Sequence, residues 1–159
     1  MPATYEPLAT TTLSTATASV TFSSISGSYT DLIIAAAIIS DSTSGDTKIQ
    51  FNSDTGSNYS MTRMYAEASV ASDRASNATS MTIGRHSTTV TTNLIHIMNY
   101  ANTTTYKTSL GRSGFPSIVL ANVGLWRSTS AITSITLLLG GSDNFSSGST
   151  FTLYGIKAA

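Results

Sequence analysis

Few side chains in this sequence could do chemistry beyond packing. There are two histidines, His86 and His96, and the acids are sparse. Cysteine is absent, which removes thiolate metal sites, disulfides and cysteine nucleophiles together. Asp41, Asp46, Asp54 and Asn58 fall in neighbouring loop segments. Oxygen ligands so grouped could hold calcium, and paired carboxylates could hydrolyse a glycosidic bond. Asp and Asn in turns usually hydrogen-bond the local backbone, and that reading is adopted for all four. His96 lies among Leu94, Ile97 and Met98 and reads as a core or interface histidine, whereas His86 follows Arg85 at a strand end and reads as exposed. The sequence has no Gly-X-Ser-X-Gly elbow. Gly140-Gly141 is not followed by the Lys-Ser/Thr of a phosphate-binding loop. The expectation is a protein that is not an enzyme and needs neither metal nor cofactor.

Tyr59, Tyr65 and Trp126 could offer flat apolar faces to sugar rings. The competing reading is that they pack a sheet. Burial separates the two.

The elements that must position these residues are strands. Hydrophobic residues make up 40% of the chain, too many for disorder, and Ser and Thr supply about a third. Thr with β-branched and aromatic residues is sheet composition. Ala18, Val20 and Phe22 alternate with polar neighbours, as do Ile49 and Phe51, and Phe151 and Leu153. Residues 31–40 read as a strand apolar on both faces, with Ala35-Ala36-Ala37 favouring a helix and the flanking turns and isoleucines favouring a strand. Tyr59, Met61, Arg63 and Tyr65 share one face of another strand. Residues 66–80 are small and polar and read as a long loop. Further strands are expected at 81–86, 90–100, 104–112, 118–126, 132–139 and 151–156. Nine or ten short strands at such spacing predict an all-β, antiparallel β-sandwich, with a jelly roll as the favoured arrangement.

Pro2 and Pro7 forbid helix near the start, so residues 1–15 are expected to form an extended N-terminal arm ahead of one sandwich domain spanning 16–159. Eight basic and eight acidic residues balance, and only 10% of the chain is charged. Nucleic-acid binding, which rests on clustered cations, is therefore not expected. The longest apolar run, 32–39, is far short of the roughly 20 residues of a membrane-spanning helix, so no membrane partner is expected. Residues 1–10 lack the features of a secretory signal, and synthesis in a cytoplasm is the expectation.

Several blocks carry a resemblance. One runs from Ile49-Gln50-Phe51-Asn52 through Asp54-Thr55-Gly56-Ser57-Asn58-Tyr59-Ser60. A second is Ile95-His96-Ile97-Met98-Asn99-Tyr100-Ala101, followed by Tyr106-Lys107-Thr108. A third is Gly124-Leu125-Trp126-Arg127 continuing to Ile135, and a fourth is Gly148-Ser149-Thr150-Phe151-Thr152-Leu153-Tyr154-Gly155-Ile156. Together with Ser19-Val20-Thr21-Phe22 they resemble a family of short structural proteins of tailed bacteriophages, including cyanophages. The resemblance implies a jelly-roll-like domain that works as an oligomer, often a homotrimer, and brings no catalytic residues. It implies a place in the virion, either as a capsid decoration (cement) protein or as a small tail or fibre component. The chain lacks the repetitive stalk of a fibre, which favours the outer surface of the head. The expected partners are then the major capsid protein and copies of the chain itself. Within the arm, Pro2, Tyr5, Pro7, Leu8 and Leu13 are the candidate capsid contacts. The alternative is a tail- or fibre-associated module that binds host-surface glycans through Tyr59, Tyr65 or Trp126.

Overall fold

The period-two alternation resolves into twelve strands: β1 (Tyr5–Thr12), β2 (Ser19–Phe22), β3 (Asp31–Ile38), β4 (Gly45–Phe51), β5 (Tyr59–Ala66), β6 (Val70–Ala78), β7 (Met81–His86), β8 (Thr91–Met98), β9 (Lys107–Phe115), β10 (Ile118–Trp126), β11 (Ile135–Leu139) and β12 (Thr150–Ile156). These come from a computed structural model that describes residues 4–115 and 117–157. Among the described residues there is no helix.

All pairings are antiparallel. The large sheet runs β1-β12-β3-β8-β9-β10-β5-β6, and the small sheet runs β2-β11-β4-β7. Eight of the twelve strands form two four-stranded sheets, β1-β12-β3-β8 and β2-β11-β4-β7, and the chain passes from one sheet to the other at each step through them except from β4 to β7, which pair within the small sheet. This is the connectivity of a jelly roll. The remaining strands are two hairpins inserted between jelly-roll strands, β5–β6 and β9–β10, and they double the width of the large sheet. The predicted sandwich is the observed fold.

The core lies between the sheets. Leu32, Ile34 and Ile38 of β3, Ile49 and Phe51 of β4, Ile95 and Ile97 of β8, Ile135 and Leu137 of β11, and Phe151 and Leu153 of β12 are buried there. The Ala35-Ala36-Ala37 run is strand because β3 is paired on both sides, to β12 and β8, and its isoleucines fit a pleated surface. Only one of its faces is fully buried. Ile33, Ala35 and Ala37 are half-buried on the far side of the sheet.

Two expectations are corrected. Residues 66–80 contain a strand, β6, paired along β5. It forms one edge of the large sheet, where exposed small polar residues hide the alternation that marks a strand. The arm is extended, as predicted, but it is not a free arm. Tyr5–Thr12 pairs with β12 and forms the opposite edge. Leu8 and Leu13 pack against the core, and Leu13 N–H donates to the Ser149 carbonyl at 2.9 Å. An extended, Thr-rich segment satisfies its backbone on the nearest open edge, here that of its own sheet. Pro7 lies on this edge strand, where a missing donor is tolerated, beside a register shift between Pro7 and Ala9. Tyr5 is exposed, and Pro2 lies outside the described residues.

β7 is an edge of the small sheet, and its free side leans on the inner face of β9 and β10. Asn122 Nδ2 donates to the Thr82 carbonyl at 3.0 Å, and Arg85 N–H donates to Ser113 Oγ at 3.4 Å. The approach needs glycine. A Cβ at Gly84 would lie 1.8 Å from Asn93 Oδ1, and one at Gly124 would lie 1.9 Å from Met81 Sδ. Gly84→Ala should therefore cost about 1–3 kcal/mol by overpacking. Gly114→Ala should be close to neutral, because its Cβ meets nothing nearer than 3.7 Å. Thermal denaturation of the two variants checks this, with a fall of several degrees expected for Gly84→Ala alone.

Candidate functional site

The loop between β4 and β5 carries the predicted acid Asp54 and leads into Tyr59. The chain reverses at Asn52 and Ser53, both in the left-handed region with φ of 52° and 56°, and Asp54 N–H closes the turn on the Phe51 carbonyl at 2.9 Å. The Asp54 carboxylate accepts from Gly56 N–H at 2.8 Å, from Asn58 Nδ2 at 2.9 Å and from Trp126 Nε1 at 2.7 Å. Burial pushes the Asp54 carboxyl up, but hydrogen bonds from Trp126, Asn58 and Gly56 outweigh it and hold the group below its ordinary value. Every oxygen is committed to the fold, which is the turn-capping role expected of it.

Tyr59 and Trp126 are in the core. Their rings stack with centroids 6.4 Å apart, and Phe51 lies 5.5 Å from the Trp126 ring. Tyr59 Oη accepts from Phe51 N–H at 2.9 Å and donates to the Asp54 carbonyl at 3.1 Å. Burial pushes its hydroxyl up to about 12. Neither ring can meet a sugar, so the glycan reading loses both. Tyr65 is half-buried, with the Arg63 guanidinium 5.5 Å from its ring centroid. Arg63 in turn binds Asp73 through two nitrogens, each at 2.8 Å, and Asp46 at 2.7 Å. Asp41 holds the side chain and backbone N–H of Asn144, both at 2.8 Å. Thus the loop acids do not converge on one site. Among the described residues, no group of three or more His, Cys, Asp or Glu could hold a metal ion.

The two histidines exchange their expected places. Ile95 and Ile97 take the inner face of β8, so His96 must point outward, where its Nε2 meets Asp31 Oδ2 at 2.8 Å. His86 is fully buried. Its Nδ1 lies 2.9 Å from Ser40 Oγ, and its Nε2 lies 3.5 Å from Asp143 Oδ2 without a hydrogen bond. This brings serine, histidine and aspartate together, but not as a nucleophile. Ser40 is buried, and its hydroxyl donates to the Ser42 carbonyl at 2.7 Å. Burial lowers the His86 pKa, and Asp143 opposes this only in part. Lys107 is another buried polar group that the sequence did not signal. Its ammonium donates to the carbonyls of Thr105 and Thr129 at 2.8 and 3.2 Å, and burial lowers its pKa.

What remains is a surface. The outer face of the large sheet is built from residues directly opposite one another on neighbouring strands, which share a face. One row across it reads Thr152, Ala35, Leu94, Arg112, Ala121, Met64. The rows to either side include Thr150, Ala37, Thr92, Gly114, Val119 and Ile33, His96, Leu110, Val123, Thr62. Met64, Leu110, Val119 and Val123 are each more than half exposed. Beside them, small residues on β3 and β9 leave a depression of about 690 Å³, with Leu94 and Val119 in its lining. Arg112 overlooks it and makes no ion pair or hydrogen bond among the described residues. Sequence reasoning missed this face. The available signal was 118–126, where Val119, Val123 and Leu125 alternate with residues that are themselves largely apolar.

No protein family matches the chain, and no curated protein does. Among solved structures it is similar to a mutant of the alginate lyase Aly36B in complex with alginate tetrasaccharide, at 12% identity and a TM-score of 0.41, covering 94% of this chain and 79% of that one. It is also similar to the galectin LEC-6 of Caenorhabditis elegans, at 8% identity and a TM-score of 0.40, covering 90% and 94%.

Two outcomes follow for the buried groups. Trp126→Ala should cost about 3–5 kcal/mol, as truncation of a large core aromatic does, and chemical denaturation measures it. His86 is neutral in the fold, with a pKa below the 6.5 of the free side chain. At high pH its contribution is the same folded and unfolded, and stability falls as pH drops below about 6.5, where the unfolded state takes up the proton first. Melting temperatures at about pH 7.5 and 5.5 should therefore differ more for the wild type than for His86→Gln.

Proposed function

We propose that this protein is a structural component of a tailed-phage virion, bound as a decoration protein to the outer surface of the head, where it stiffens the shell. The observation that carries this reading is the apolar outer face of the large sheet. Contiguous exposed apolar surface marks an interaction site, and Met64, Leu110, Val119 and Val123 form such a surface on an element too stiff to fold over them. The sparse, balanced charge favours a protein that works assembled, and the sequence blocks supply the kind of assembly.

The element that meets the shell is β1, which stays free whatever covers the apolar face. It is the last strand of the large sheet, so its outer backbone groups are available to pair with a strand of the shell protein. Tyr5 and Pro7 lie along it, exposed. The arm thus contributes as an edge strand rather than as a free strap. The glycan alternative is the weaker reading, because two of its three aromatics are core residues.

The test is direct binding. Purified protein is mixed with phage heads that lack it, with tails and with host envelopes, and each is sedimented. Saturable binding to heads, with heads that then survive heating better, is the expected result. Binding only to tails or envelopes would overturn the proposal.

A further inference from the structure

We infer that the outer face of the large sheet is covered by the same face of a second copy of this chain, in a two-fold pair. This rests on reading that face as a docking surface, and it names the occupant. Four observations support a second copy.

The first is size. Eight strands about 4.8 Å apart span about 34 Å, and the face is about 20 Å tall at about 3.3 Å per residue. The product, about 700 Å², is close to the roughly 800 Å² that each partner gives to a stable interface. The second is shape. A two-fold contact must complement itself. Here a ridge and a hollow lie side by side on one surface. Leu110, Val123 and Met64 project from β9, β10 and β5, while Ala35, Ala37 and Gly114 leave the depression toward β3 and β12. A two-fold axis between the two halves seats each ridge in the other copy's hollow.

The third is charge. His96 on this face is hydrogen-bonded to Asp31 at 2.8 Å, and Arg74 hydrogen-bonds Ser76 at 3.2 Å. Arg112 is then the one cation of the central rows without a partner among the described residues. A single arginine is too little charge to call for an acidic partner, and its stem can lie along apolar surface with the guanidinium at the rim. The chain's zero net charge sets no long-range repulsion between copies. The fourth is architecture. Two sheets packed face to face about 10 Å apart is the arrangement the chain already uses inside itself.

The experiment uses the full chain at micromolar concentration. Sedimentation equilibrium should give twice the chain mass of 16.6 kDa. Val123→Asp and Leu110→Asp should each raise the dimer dissociation constant at least about tenfold, since a charge would be buried in the contact. Val90→Asp, exposed but in the loop before β8, should leave it unchanged. Because the chain has no cysteine, Ala121→Cys carries a single nitroxide, and spin–spin distances near the sheet-packing distance identify the face independently of any destabilising variant. A monomer, a trimer, or a dimer that ignores Val123→Asp would each overturn the inference. A monomer that still binds heads, and loses that binding in Val123→Asp, would assign the face to the shell protein and leave the proposed function standing. A dimer that binds no heads would sink the function and spare the pairing.

Discussion

The structure depends on how a four-stranded sheet ends over an eight-stranded one. A sheet edge presents unpaired N–H and C=O groups, and these cannot be buried without partners. β7 is such an edge, and it is placed over the middle of the large sheet, with Met81, Thr82, Ile83 and Gly84 all buried. The solution is polar side chains on an inner face that would otherwise be apolar. Asn122 and Ser113 meet the backbone of β7, while Gly84, Gly111 and Gly124 clear the space. Where they meet β7, the inner faces of β9 and β10 are therefore small or polar, with Ser109, Gly111, Ser113, Asn122 and Gly124, whereas those of β3 and β12 carry Ile, Leu and Phe.

That choice organises the rest. With β7 fixed, the inserted hairpins can extend the sheet beyond the jelly roll. The overhang beyond β7 is held by the Arg63–Asp46–Asp73 ion pairs, which tie β5 to β4 and β6. At the other end of the hairpins, Trp126, Tyr59 and Phe51 close the core and Asp54 fastens the loop over them. The residue types most suggestive of chemistry in the sequence are thus the ones holding the extension in place. A stack of loop acid, indole and phenol looks like a binding site in one dimension and is a structural joint in three.

Widening the sheet has a cost on the opposite side. A two-layer sandwich covers one face of each sheet, and every added strand adds outward-facing residues. In this chain those residues are Ala, Val, Leu and Met as often as Thr and Ser, and nothing among the described residues covers them. The surface available for assembly is thereby a direct product of the inserted hairpins: Leu110, Val119 and Val123 belong to β9 and β10, and Met64 to β5.

The sequence by itself determined the strands and the sandwich. Period-two alternation is local, and Val20 with Phe22, or Ile49 with Phe51, states which residues face inward whatever the strand pairs with. It also determined that Asp54 caps its turn, because an Asx turn is made within a few residues, whereas Asp46 pairs with Arg63 and Asp41 with Asn144, partners that only the fold brings near. It could not determine what lies across from a strand. β6 was illegible because one face of this edge strand is exposed and the other is half-buried and built from small residues such as Ala75 and Ala78, which leaves no strong hydrophobic period. β1 was legible as extended but not as paired, since the choice between a free arm and the edge of β12 is made by residues about 140 positions away. The histidines changed places for the same reason. The exposure of His96 follows from its neighbours' parity once Ile95 and Ile97 are inside, whereas the burial of His86 depends on β7 being enclosed by the large sheet. The outer face shows the limit most clearly: apolar residues on both sides of 118–126 are compatible with two buried faces, and only the tertiary structure decides that one of them is buried by this chain while Val119 and Val123 stay exposed on the other.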